Sequence, residues 1–288
     1  MIDNAIIIAA GASSRFAPLS YERHKALTEI KGEILIERLL GQLNAAGIKD
    51  IYIVTGYKAQ QFDYLTDKCG VRLISNTAYQ VRNNNSSIWA ARDILSNSLV
   101  IASDLYFVSN PFTDDADEAW YAAEYAQGAT SEWCLHEDEN GYIDSVKIGG
   151  ENAWYMLDHA FWSSDFSRRF LHILERSYNE PQTAGKLWET IFMEHLDELK
   201  MTVRKYAPGT VYEFDSLDSL RAFDPTYVSD SRSAILKKAA ARLSAEEKDI
   251  TSIRPLMGSG AEAEGFSFRC RGLIYEYQYK NEELKEGK

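Results

Sequence analysis

Cysteine is scarce in this chain: Cys69, Cys134 and Cys270 lie scattered among 288 residues. They form no zinc spacing and no disulfide framework, so reduced thiols and a cytoplasmic setting are expected. Long apolar runs are also missing. The first, Ala5–Ala10, is far shorter than the ~20 residues a membrane-spanning helix needs. It follows Asp3 rather than basic residues, which argues against a secretory signal. Basic residues are outnumbered, with 31 Lys and Arg against 43 Asp and Glu and a net charge of −12. A duplex nucleic-acid binder needs a basic footprint, so that class is excluded, and no membrane insertion is expected. A polyphosphate can still bind where a few cations converge. The histidines (His24, His136, His159, His172 and His195) make no pair at helical metal spacing, and no nucleophile elbow accompanies them. There is no internal repeat and no low-complexity stretch.

What is present has the profile of an ordinary globular protein, 45% apolar and 26% charged. The length allows one or two domains and a sizeable core without covalent staples. Ala5–Ala10 reads as a strand buried on both faces. A helix is expected over 34–46, stopped by Gly47, and strands over 51–55, 72–75 and 99–103. Further helices are expected over 58–68 and 86–95. Strands alternating with helices predict an α/β fold, a mostly parallel sheet flanked by helices. Ligands of such sheets bind at the carboxyl ends of the strands.

The texture changes after about residue 117. Trp120, Trp133, Trp154, Trp162 and Trp188 fall in one stretch, which reads as an aromatic-rich substrate subdomain. Short strands (121–125, 131–136, 145–148) and helices (164–178, 186–196) are expected there, then strands over 201–206 and 211–214. The expected organisation is a catalytic domain over 1–228 and a helical and hairpin extension over 229–288. The extension begins with a helix over 229–243. Its hairpin is expected at 265–268 and 273–277, with a frayed tail NEELKEGK.

Several segments carry chemistry. Ala9-Ala10-Gly11-Ala12-Ser13-Ser14-Arg15 is a loop of small residues after a buried strand, followed by Pro18, Ser20 and Lys25. Small residues let backbone N–H groups approach phosphate oxygens, and Arg15 and Lys25 supply cations for a triphosphate. The loop is neither a P-loop nor a dinucleotide fingerprint. Asp104 ends an apolar strand, where an acid is poised to hold a divalent metal. Glu213 and Asp215 alternate with aromatics, so both acids are expected on one face of a strand. Asn84 and Ser87 sit at a polar helix start. Glu132-Trp133, Phe161-Trp162 and Trp188-Glu189 combine ring faces with carboxylates, the elements of a cage for a quaternary ammonium. Taken singly, each has an ordinary structural explanation: a solvated turn, a helix cap, an edge strand or core tryptophans.

Together they resemble the nucleotidyltransferase superfamily. The opening motif is similar to A-A-G-x-G-x-R-x-x-P-x-T followed by P-K, with Ser13, Ser20 and His24 replacing the second glycine, the threonine and the proline. The later segments, Thr-x-Glu-Trp, Phe-Trp, Trp-Glu and Val-Tyr-Glu-Phe-Asp-Ser, narrow the resemblance to the bacterial CTP:phosphocholine cytidylyltransferases over about residues 4–224. Glu189 stands where those relatives have aspartate.

The resemblance implies a Rossmann-like sheet and transfer of CMP from CTP to phosphocholine. It implies Arg15 and Lys25 as catalytic cations and nucleotide binding by Ala9–Arg15, Asn84, Ser87 and Asp104. It further implies Mg²⁺ on Asp104 and Asp215, with Glu213 as a further ligand. A choline cage of Glu132, Trp133, Trp162, Trp188 and Glu189 follows from the same likeness. Rival acceptors are phosphoethanolamine, 2-aminoethylphosphonate and, further off, a sugar 1-phosphate. A non-catalytic nucleotide-binding module is the alternative of another class. The tail, Asp249–Leu256 and Gly265–Phe268, resembles the start of a choline-kinase small lobe without its catalytic residues. A homo-oligomer is left open as an assembly, since the sequence does not give the oligomeric state.

Overall fold

Isoleucine and valine set the centre of the fold. The computed structural model describes residues 1–258, 260 and 262–287. The apolar run forms strand β1 (Asn4–Ala9). It pairs in parallel with β2 (Ile51–Thr55), which pairs in parallel with β3 (Arg72–Ser75). On its other side β1 pairs in parallel with β4 (Ser98–Ala102). Ile6, Ile7, Ile53, Val54 and Ile101 are buried, as strands covered on both faces require. The expected α/β sheet with a parallel centre is therefore present.

A strand that the sequence pattern did not single out joins this sheet to the aromatic region. β5 (Trp120–Tyr125), β6 (Ala129–Glu137), β7 (Ile143–Glu151), β8 (Trp154–Trp162) and β9 (Thr202–Tyr206) complete it. The order is β7-β6-β8-β4-β1-β2-β3, with β5 paired to β8 and to β9. β8 runs antiparallel to β4, so one strand links both halves. The helix Ser164–Ser177 packs behind it, started by the Ser163 hydroxyl accepting the Phe166 N–H at 3.3 Å. Trp162 lies 4.6 Å from Phe170 and 4.9 Å from Trp188, centroid to centroid.

The expected helix over 58–68 is split into a short turn, Ala59–Phe62, and a helix, Tyr64–Cys69. The expected helix over 86–95 is shorter, Asn85–Ala90.

The chain divides into two compact units. One holds Met1–Gly11 and Ile36–Tyr212, and the other Ala12–Leu35 and Glu213–Lys288. Residues 229–288 thus share a unit with most of the loop after β1. In that second unit, β10 (Ile250–Met257), β11 (Ala263–Cys270), β12 (Leu273–Gln278) and β13 (Glu283–Glu286) form an antiparallel sheet in sequence order. The hairpin is longer than expected, and the tail is not frayed through Glu286. Leu284 pairs with Tyr277 there, while Lys288 lies outside the described residues. Phe266, Phe268 and Tyr277 form the buried face of that sheet. The helix Ala234–Arg242 accompanies it, shorter than the expected 229–243. No helix among the described residues is long and apolar enough to cross a membrane.

Candidate active site

The loop after β1 begins in the first unit. Ala9 and Ala10 are buried, and the Ala10 carbonyl accepts the Tyr57 N–H at 3.0 Å. Gly56 has to be glycine here. A Cβ would stand 2.8 Å from the Tyr79 ring and 2.9 Å from the Ala10 oxygen. Gly56→Ala is therefore expected to cost about 1–3 kcal/mol by overpacking. Thermal melts check this, and an unchanged melting temperature contradicts it.

The second unit holds the rest of the loop. Ser13, in the place of the family's second glycine, takes a left-handed conformation with φ 48°. The chain then turns through Ser14–Phe16, the helix Leu19–Glu22 and the turn Lys25–Leu27. His24 starts the last turn, its ring nitrogen accepting the Ala26 N–H at 3.1 Å.

This local path brings four charged residues together. Lys25 is only 4% exposed. Its Nζ lies 3.5 Å from Glu213 Oε1 and 3.7 Å from Asp215 Oδ1. Arg15 Nη1 donates to Asp215 Oδ2 at 2.8 Å. A buried ammonium is tolerable because two carboxylates face it. The strand Val211–Glu213 stops before Asp215, so the acids do not share a strand face as expected. They converge on Lys25 all the same.

The first unit carries the remaining candidates. Asp104 sits half-buried in the turn after β4, and the neighbouring Ser103 N–H extends the β1 ladder onto Ile8 O at 3.1 Å. Asn84 and Ser87 are held by protein partners. Asn84 Oδ1 accepts the Trp188 N–H at 2.7 Å, and its Nδ2 donates to Glu189 Oε2 at 3.0 Å. Ser87 Oγ accepts from Asn76 at 3.1 Å. A residue expected at the nucleotide thus orients two expected in the cage.

Glu189 is the most unusual group there. It is buried, and burial pushes its carboxyl up to about 7 against the pull of Asn84, its own backbone and Tyr121. The Tyr121 hydroxyl donates to Glu189 Oε1 at 3.4 Å, and its ring lies 5.6 Å from Trp188. Tyr121 was not among the expected site residues. Its apolar, β-rich surroundings read as core, and only the fold shows its hydroxyl aimed at an acid. Trp162 is fully buried against Phe166, Phe170 and Trp188. Trp133 is half-buried and Glu132 exposed on β6.

His159, on β8, faces Tyr206 at 3.1 Å, and burial, with help from Arg204, lowers its pKa to about 3. It is a neutral core histidine.

The cluster gathers two cations and two carboxylates, and Glu213 and Asp215 offer hard oxygen donors. Mg²⁺ takes one or two carboxylates and completes its shell with phosphate oxygens and water, so the donor chemistry fits. Among the described residues no group of three or more His, Cys, Asp or Glu side chains gathers for a metal.

The model of the MobA-like NTP transferase domain matches residues 5–138. A choline-phosphate cytidylyltransferase of Streptococcus pneumoniae is 30% identical over 220 residues, which is 76% of this chain and 96% of that protein. A 2-aminoethylphosphonate cytidylyltransferase of Lancefieldella rimae is 31% identical over 78% of this chain and 93% of its own length. The solved structure of the Streptococcus pneumoniae CTP:phosphocholine cytidylyltransferase superposes with a TM-score of 0.75, at 29% identity, over 78% of this chain and 99% of that one. With likeness that covers about three quarters of this chain and more than nine tenths of each of these relatives, the chain belongs to the nucleotidyltransferase family, among its bacterial cytidylyltransferases.

Proposed function

We propose that this chain transfers CMP from CTP to phosphocholine, giving CDP-choline and pyrophosphate. The observation that carries the acceptor choice is the buried carboxylate of Glu189 beside the rings of Trp188 and Tyr121. Ring faces and a nearby acid attract a quaternary ammonium. The acceptor phosphate is already anionic near neutral pH. Its oxygen attacks the α-phosphorus as the bond to the bridging oxygen breaks, and pyrophosphate leaves. No general base is needed, so the work is positioning and charge stabilisation.

Arg15 and Lys25 bind the triphosphate and stabilise charge on the leaving pyrophosphate. Before nucleotide arrives they are occupied by Glu213 and Asp215. A bound triphosphate would share Arg15 and Lys25 with these carboxylates, and Glu213 and Asp215 would be at hand to hold its divalent ion. Asp215 and Asp104 are the proposed Mg²⁺ ligands, with Glu213 as a further one. Bound Mg²⁺ supplies Lewis-acid stabilisation of phosphoryl charge. Ala9 to Arg15 line the nucleotide through their backbone. Asn84 acts through the residues it orients, and Ser87 supports the same helix start. Trp133 and Glu132 complete the proposed cage, whereas Trp162, expected there, is closed off by Phe166, Phe170 and Trp188 and supports Trp188 from the core. We place the reaction in the cytoplasm.

The test is pyrophosphate release with CTP and Mg²⁺ across phosphocholine, phosphoethanolamine, 2-aminoethylphosphonate and glucose 1-phosphate. Selective turnover of phosphocholine is expected. The Lancefieldella rimae relative makes 2-aminoethylphosphonate the rival to beat. Trp133→Ala is expected to weaken phosphocholine by about 0.5–2 kcal/mol and to leave CTP unchanged. Equal weakening of both substrates removes Trp133 from the cage. No turnover with any acceptor favours a silent nucleotide-binding module.

A further inference from the structure

We propose that the C-terminal sheet and its helix are a brace that positions Arg15 and Lys25, an inference that rests on the catalytic reading of those two residues. The family model that matches residues 5–138 does not include this segment.

The brace touches the loop at three places. The Tyr279 ring stacks on Tyr21, with centroids 3.8 Å apart and planes at 14°. Glu22 Oε1 accepts the Ile235 N–H at 2.9 Å, next to the Ser233 hydroxyl that accepts the Leu236 N–H at 3.0 Å. Strand β10 packs beside Ser14–Phe16. Tyr21 and Glu22 belong to the helix Leu19–Glu22, one turn ahead of Lys25. The turn containing Arg15 lies on its other side.

The brace itself is stiff. The Tyr279 N–H donates to Glu264 O at 2.9 Å, and the ring is 6.0 Å from Phe266 in the sheet's apolar face. Lys238 pairs with Glu282, and Arg242 donates to the Glu282 carbonyl, which fastens the helix to the sheet. Between Tyr21 and Lys25 the backbone is short and internally bonded, with Arg23 N–H on Leu19 O and the His24 ring on Ala26 N–H. A movement of the Tyr21 ring is therefore passed to Lys25 rather than absorbed. Tyr279 and Glu22 act as positioning residues, through Tyr21 and Ile235.

The experiment compares Tyr279→Ala, Tyr279→Phe, Glu22→Ala and Glu22→Gln in the full chain. Tyr279→Ala is expected to lower kcat/KM for CTP about tenfold or more, since small misplacements of catalytic groups are costly. KM for phosphocholine should stay unchanged. Tyr279→Phe keeps the stack and Glu22→Gln keeps the acceptor, so both should match the parent. In a Lys25→Ala background, Tyr279→Ala should cost clearly less than in the parent, because the part of its effect that runs through Lys25 is already lost. Amide exchange over residues 14–28 should quicken about tenfold in Tyr279→Ala and stay at the parent rate in Tyr279→Phe. Unchanged exchange, or the full loss repeated in the Lys25→Ala background, overturns the brace. A parent protein without turnover refutes the catalytic reading instead, and the exchange measurement still decides whether the brace holds the loop.

Discussion

Lys25→Ala is expected to reduce kcat by about 10²-fold or more, the scale of losing one preorganised donor to developing charge. The expectation rests on where the ammonium sits. Lys25 is buried while both its carboxylate partners reach solvent. A cation in that setting is fixed in place before substrate arrives, so little reorganisation remains for the reaction itself. Arg15, with its side chain largely exposed, is paired with Asp215 at the surface and should matter less. Lys25→Arg is not expected to rescue activity, because a bulkier planar guanidinium overpacks a buried position held by an ammonium. Single-turnover measurements of pyrophosphate formation separate this loss from slow product release. Thermal melts separate it from unfolding. A kcat near that of the parent removes Lys25 from the chemistry.

Glu189 should make phosphocholine binding depend on pH. Its carboxyl titrates near 7 rather than at the ordinary 4.5 because it is buried. A quaternary ammonium beside it favours the ionised form, so binding expels a proton from Glu189. KM for phosphocholine is then expected to fall by about tenfold per pH unit as pH rises toward 7, and to level off above it. The acceptor phosphate, titrating at about 6, adds a slope of its own. Glu189→Gln removes the protein's contribution and keeps the substrate's, so the difference between the two profiles is the readout. At pH 8 the Gln variant should bind phosphocholine about tenfold or more weakly, with CTP unaffected. Superimposable profiles remove Glu189 from the cage. In the unliganded protein the same raised pKa has the opposite sign for stability. The folded form holds the proton through the interval from 4.5 to about 7, so stability falls as pH rises through it.

Much of the parallel centre was legible because local pattern and burial agree there. Isoleucine-rich β1 and the runs that became β2, β3 and β4 need covering on both faces, and such strands read as continuous apolar segments. The convergence of Arg15, Lys25, Glu213 and Asp215 was legible only through the family likeness, since these residues are far apart in sequence. β8 was not legible. Asp158 interrupts its apolar run, and its identity as a strand comes from β4 and β5 on either side. Nor did spacing show the Asn84 amide turning to Trp188 and Glu189, because a helix-start asparagine normally caps its own helix. The tail looked polar enough to fray, yet the pairing of Leu284 with Tyr277 holds it.

The division of the chain also orders events during synthesis. Residues 12–35 leave the ribosome well before the segment that shares their compact unit, which begins at Glu213. At about 5–20 residues per second, the loop waits roughly ten seconds to a minute before Tyr279 reaches Tyr21. The sheet from β1 to β9 can gather in that interval, while Arg15 and Lys25 still lack the partners that fix them. A nascent chain should therefore gain its fold well before it gains its chemistry.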